Sequence, residues 1–108
     1  MSYQENLNTY DEIVILSSHS ERKGKTMPYT SSNGYMYSLL NKAGQLGFRL
    51  SKEDQKEFGQ EYGGEAFISH NATMKDYILI HDHLLKEKEM LAKWLDKAHD
   101  YVNTLKPK

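Results

Sequence analysis

The chain has 108 residues, fourteen basic and fifteen acidic side chains, and no cysteine. That length builds one domain, residues 1–108, which hides roughly two thirds of its unfolded surface without needing staples. The lack of cysteine excludes disulfides, thiolate metal sites, iron–sulfur clusters and thiol nucleophiles, and the near-cancelled charge argues against a dedicated nucleic-acid binder.

No apolar run approaches the ~18 residues of a membrane span, and the polar, acidic N-terminus lacks the apolar stretch of a signal peptide. The expectation is a soluble, cytoplasmic protein with no membrane contact.

Residues 6–18 come first. Leu7, Tyr10 and Val14 recur at helical spacing with Ile13 on the same face, although the run Ile13-Val14-Ile15-Leu16 also suits a short buried strand. The charged link Ser20 to Lys25 lacks the glycine spacing of a nucleotide-binding loop and reads as a solvated connection. A three-stranded meander follows. Pro28 lacks a backbone donor and makes residues 26–31 an edge or irregular strand. Asn33-Gly34 supplies the positive φ angles of a two-residue hairpin turn. Tyr35, Tyr37 and Leu39 then alternate with Met36, Ser38 and Leu40. After the turn Asn41-Lys42-Ala43-Gly44, Leu46, Phe48 and Leu50 alternate with Gly47 and Arg49.

Ser51 is positioned to cap a helix running to about Tyr62, with Asp54 as capping-box partner and Gly63-Gly64 offering a left-handed end. Only Phe58 and Tyr62 give it an apolar side, so it lies on the surface of the sheet. Ala66-Phe67-Ile68 and residues 75–80 predict two more strands joined by a turn at residues 69–73. The unbroken apolar run Tyr77 to Ile80 implies burial on both faces. The last helix carries Leu84, Leu91, Leu95, Ala98, Val102 and Leu105, widened by Trp94 and Tyr101, with Asp82 as a candidate N-cap; Glu87-Lys88-Glu89 either kinks it after a short first turn or continues it, and propensity alone does not decide. Pro107 lies just beyond its end. The fold class is α+β, an antiparallel sheet in the order α-β-β-β-α-β-β-α.

Chemistry is sparse. His81-Asp82-His83 has ligand-type side chains, but a metal site needs His70, His99 or a carboxylate brought in from elsewhere, and no metal or cofactor is expected. Serines flank His19 without the spacing of a nucleophile elbow, and Asp11-Glu12 and Glu53-Asp54 sit where helix starts explain them. No catalytic residues are assigned and the chain is read as a non-enzyme. Eight tyrosines and one tryptophan are many for this length. Tyr29, Tyr35 and Tyr37, interleaved with Arg49, Lys42 and Lys25, either stack single-stranded bases from an exposed sheet face or pack beneath the last helix with hydroxyls at the rim. The candidate interaction surface is Arg22, Lys25, Tyr29, Tyr35, Tyr37 and Arg49. Its expected occupant is a protein, including a second copy of the chain, with a nucleic-acid-associated regulator as the alternative.

The stretches Arg22-Lys23-Gly24-Lys25-Thr26-Met27-Pro28-Tyr29-Thr30-Ser31, Asn33-Gly34-Tyr35-Met36 and Leu46-Gly47-Phe48-Arg49-Leu50 resemble the TfoX (Sxy) N-terminal-like domain, in its small single-domain bacterial branch. The segment Met74 to Ile80 and the tail Tyr101-Val102-Asn103-Thr104-Leu105-Lys106-Pro107-Lys108 extend the likeness over nearly the whole chain. The resemblance implies a secretion-chaperone-like α+β fold and a regulatory, non-catalytic role. Larger relatives regulate natural competence alongside a transcription activator and carry a second, helical domain. This chain departs from the pattern at two places. The family's Met-Phe-Gly-Gly loop reads Met27-Pro28-Tyr29-Thr30, and His81 replaces the usual proline after the penultimate strand.

Overall fold

Asn33 and Gly34, at φ 57° and 84°, make the tight turn that sets the meander's register. The computed structural model, which describes residues 2–69 and 71–108, places around that turn α1 (Tyr3–Leu16), β1 (Tyr29–Ser32), β2 (Tyr35–Leu40), β3 (Leu46–Arg49), α2 (Lys52–Tyr62), β4 (Ala66–Ser69), β5 (Ala72–Ile80) and α3 (Lys88–Thr104). The class and element order are those read from the sequence. All strand pairs are antiparallel, in the order β1-β2-β3-β5-β4. Among the described residues, no helix is long and apolar enough to cross a membrane.

The helices gather on one face. Tyr10, Ile13 and Val14 of α1, Phe58 of α2 and Leu91, Trp94, Leu95, Ala98 and Val102 of α3 share one buried cluster with Leu40, Leu46, Phe48, Ile78 and Ile80 of the sheet. The segment 13–16 is therefore helix, its Ile13 and Val14 facing α3 while Ile15 and Leu16 remain exposed. Ser2 caps α1, whose first residue, Tyr3, lies three residues upstream of the boundary expected at residue 6. Ser51 caps α2 by accepting the Asp54 backbone N–H, as expected. Gly63 ends α2 with φ 97°, but its ψ of 138° is far from the ~+47° of a left-handed helical residue.

Two expectations need correction. Tyr35, Tyr37 and Leu39 do not share a face. Thr30 pairs with Ser38 but Ser31 pairs with Met36, so Tyr37 is extra to the ladder. One inserted residue reverses the alternation beyond it. Tyr35 and Tyr37 consequently turn toward the helices with Leu40, while Leu39 turns to the opposite face. Second, Asp82 does not cap the last helix. It begins a separate 3₁₀ turn, Asp82–Leu84, and α3 starts only at Lys88, so the kink admitted at residues 87–89 is a true break.

β5 lies between β3 and β4 over its second half and bends before it. Tyr77 to Ile80 pair with β3, but Asp76 adopts φ 66° and its carbonyl accepts the Leu50 N–H. A positive φ at a non-glycine residue bends the strand. The half before Asp76 leaves β3 and folds with β4 across the helix-free face, where Asn41 Nδ2 donates to the Ile68 carbonyl at 2.8 Å. Phe67 becomes a lid over the sheet. A Cβ built on Gly47 would meet the Phe67 ring at 2.5 Å, so only glycine lets the ring seat there.

Candidate functional site

The six surface candidates are not brought together. Tyr37 is 1% exposed; its hydroxyl donates to Ser20 Oγ at 2.9 Å and its ring meets His99 edge-on. Tyr35 lies at the rim of α3 and donates to the Lys106 carbonyl at 2.6 Å. The Arg49 guanidinium sits 5.4 Å from the Tyr35 ring centre and 5.9 Å from that of Tyr101, with Lys108 Nζ 5.1 Å from Tyr35. Cation and ring satisfy one another here. Arg22 pairs with Asp11 and donates to the Gly24 carbonyl at 3.0 Å. Of the six, Lys25 is exposed and Tyr29 alone packs on the helix-free face. Tyr35, Tyr37 and Arg49, three of the residues that suggested base stacking, are engaged inside the fold.

Tyr35 and Arg49 help to anchor the C-terminal stretch, together with the Asn33-Gly34 turn. Asn33 Nδ2 donates to the carbonyls of Val102 and Leu105, at 2.9 and 3.0 Å, which satisfies acceptors that the end of α3 leaves open. Lys108 packs so closely on Gly34 that an added Cβ would lie 2.6 Å from Lys108 Cβ. The Asn-Gly turn and the tail, two of the segments that carry the family likeness, are thus one structural joint.

The histidines do not converge either. His81 faces Glu65 at 3.6 Å and stacks on His83, whereas His99 stacks on His19 and contacts Asp100. His70 lies outside the described residues. Among the described residues, no group of three or more histidine, aspartate or glutamate side chains is arranged to hold a metal. The space between the sheet and α3 is filled by core side chains.

The face opposite the helices has a different character. Leu39, Phe67 and Tyr77 form a small buried cluster there, flanked by the half-buried Met27, Tyr29, Met74 and Leu79. Met36, 38% exposed, and Ile68, 52% exposed, extend the apolar surface. Burial pushes the Tyr77 hydroxyl well above the usual tyrosine range, against the opposing charge of Arg49, and the hydroxyl has no hydrogen-bond partner among the described residues. At the Asp76 bend, burial would raise the carboxyl, but hydrogen bonds from Lys52 and Gln55 and the charges of Lys52 and Arg49 outweigh it and hold the group below its ordinary value. Lys52 Nζ approaches at 2.9 Å.

Sequence reading missed this surface because regular alternation assigned Tyr35, Tyr37 and Leu39 to one side. Neither family models nor curated proteins give a match to the chain.

Proposed function

We propose that the chain is a non-enzymatic protein-interaction module with a regulatory role, of the TfoX N-terminal-like kind, and that it meets its partner through the helix-free face of the sheet. One observation carries the reading: Met27, Tyr29, Met36 and Ile68 leave apolar surface exposed around the Leu39–Phe67–Tyr77 cluster. Methionine adapts its shape to a partner at little entropic penalty, which suits it to a recognition surface. The sequence likeness supports a regulatory rather than catalytic role, and the internal use of Tyr35, Tyr37 and Arg49 weighs against base stacking.

The test is capture from a bacterial lysate, with and without nuclease, using the parent chain and the Ile68→Glu variant side by side. The side chain of Ile68 is exposed, so its replacement leaves the core intact. The reading expects a stoichiometric protein that survives nuclease and is lost with Ile68→Glu. Nucleic acid recovered in place of that protein, or a partner indifferent to the substitution, overturns it. Sedimentation of the two chains identifies the case in which the partner is a second copy.

A further inference from the structure

The turn that fixes the meander also carries reactive chemistry. Asparagine is among the chemically labile side chains, and it is most exposed to attack when glycine follows, because glycine has no side chain to shield its backbone nitrogen. Structure demands the same two residues here. Asn33 and Gly34 both hold positive φ, and a Cβ on Gly34 would lie 2.6 Å from Lys108 Cβ. The fold therefore keeps a labile pair at a place where few other pairs fit.

The C-terminal stretch guards that pair. Asn33 Nδ2 donates to the Val102 carbonyl at 2.9 Å and to the Leu105 carbonyl at 3.0 Å, so both of its protons are bound. The Asn33 carbonyl accepts the Lys108 N–H at 3.4 Å. Alongside, the Tyr35 hydroxyl donates to the Lys106 carbonyl and Asn103 Nδ2 donates to Ser32 Oγ. Attack requires Asn33 Cγ to swing onto the Gly34 nitrogen, which takes Nδ2 away from both carbonyls. The reaction therefore waits on a local opening between the turn and the end of α3, and chain ends open more readily than cores.

We propose that Asn33 is a deamidation site guarded by the C-terminal stretch, and that its conversion releases that stretch irreversibly. The step needs water and no other reactant. The Gly34 nitrogen loses its proton and bonds to Asn33 Cγ, the Cγ–Nδ2 bond breaks, and Nδ2 leaves as ammonia carrying the proton. Water then opens the cyclic imide at one of its carbonyls, giving aspartate or isoaspartate. Aspartate replaces the donors with an anion that faces the Val102 and Leu105 carbonyls, where only acceptors meet. Isoaspartate also routes the main chain through the former side-chain carbon, which destroys the two-residue turn. Either product undocks residues 105–108 and loosens the last turn of α3. The site lies apart from the helix-free face and stands independently of the partner reading.

Peptide mass mapping with isoaspartate detection, on the full chain held at mildly alkaline pH, tests both halves. The folded parent chain is expected to convert at Asn33 at least about tenfold more slowly than the same chain in urea. Tyr35→Phe removes the bond to Lys106 and keeps the ring, and should speed conversion of the folded chain about threefold. Phe58→Leu is the control, because it loosens the core against Trp94 and away from the turn, and should leave the rate within about twofold of the parent. In the converted chain, and in Asn33→Asp, the amides of residues 102–106 and 108 should exchange at least about fivefold faster, while those of β3 and β5 keep their protection. Equal rates folded and in urea, or equal acceleration by Phe58→Leu and Tyr35→Phe, overturn the guard. Conversion that leaves exchange at the C-terminal stretch unchanged overturns the release, and no conversion even in urea overturns the site.

Discussion

On the helical face of the sheet, Tyr10, Thr30 and Ser38 are all buried, and their three hydroxyls bond to one another. On the opposite face Tyr77 and Ser69 bury hydroxyls that bond to nothing among the described residues. The helical side has two unpaired atoms near it, Asn6 Oδ1 and Arg49 Nε, but each belongs to a group otherwise engaged, by the Gly44 carbonyl and by two aromatic rings. The difference separates two tasks. The helical face specifies the fold by bonding the hydroxyls of Tyr10, Thr30 and Ser38 that it buries and by filling its volume. The other face is closed only by a folded hairpin and leaves polar and apolar groups unfinished, as a surface that meets something does.

The largest effect should come from the helical face. Trp94 packs edge-on against Phe58, so it joins α3 to α2. Trp94→Ala should lower unfolding free energy by about 3–5 kcal/mol in urea titration. Phe67→Ala removes a fully buried ring from the other face, but the hairpin that carries it can settle into the space, so the loss should fall at the low end, about 3 kcal/mol or less. A greater loss for Phe67 than for Trp94 would erase the distinction between a deep core and a hinged cover.

Next in size is Gly47→Ala. Its new methyl group would meet the Phe67 ring at 2.5 Å and force the hairpin off the sheet. A loss of about 1–3 kcal/mol is expected. Combining it with Phe67→Leu should recover much of that loss, because the two positions share one volume and their effects cannot be additive. Strict additivity in the four-chain cycle would mean that the ring is not seated over Gly47.

The contrast between faces also explains what the sequence made legible. The Asn33-Gly34 turn, the Ser51 cap, the edge character of the Pro28 strand and the two-sided burial of Tyr77 to Ile80 follow from local chemistry, and each is present in the structure. The charged run 87–89 admits a break before α3 without fixing it, and the structure has one there. What escaped is non-local. The extra residue at Tyr37 is defined only by its pairing with β1, and no periodicity within β2 reveals it. The fold-back at Asp76 depends on Lys52 and Gln55 arriving from α2 to hold that carboxylate. Both events decide which side chains reach the helix-free face, and so the candidate surface moved from the tyrosines to Met27, Met36 and Ile68.

The smallest effect has the opposite sign. Tyr77→Phe keeps the ring that packs on Phe67 and removes a hydroxyl that is buried and unpaired. It should therefore raise stability, by about 1 kcal/mol near neutral pH. Its pH dependence supplies an independent check. Burial raises the Tyr77 hydroxyl above its unfolded value, so the native state holds that proton more tightly than the unfolded chain does. The resulting contribution is fully present below an unfolded pKa of about 10 and is lost as pH rises above it, when unfolded tyrosine ionises first. Tyr10 behaves alike, because its burial also raises its hydroxyl, opposed by the Ser38 and Thr30 bonds. Between about pH 9 and pH 11 the parent chain should lose stability faster than Tyr77→Phe, with the remaining slope belonging in part to Tyr10. A Tyr77→Phe chain that is less stable at neutral pH would mean that the hydroxyl is bonded after all, and the helix-free face would then be as complete as the helical one.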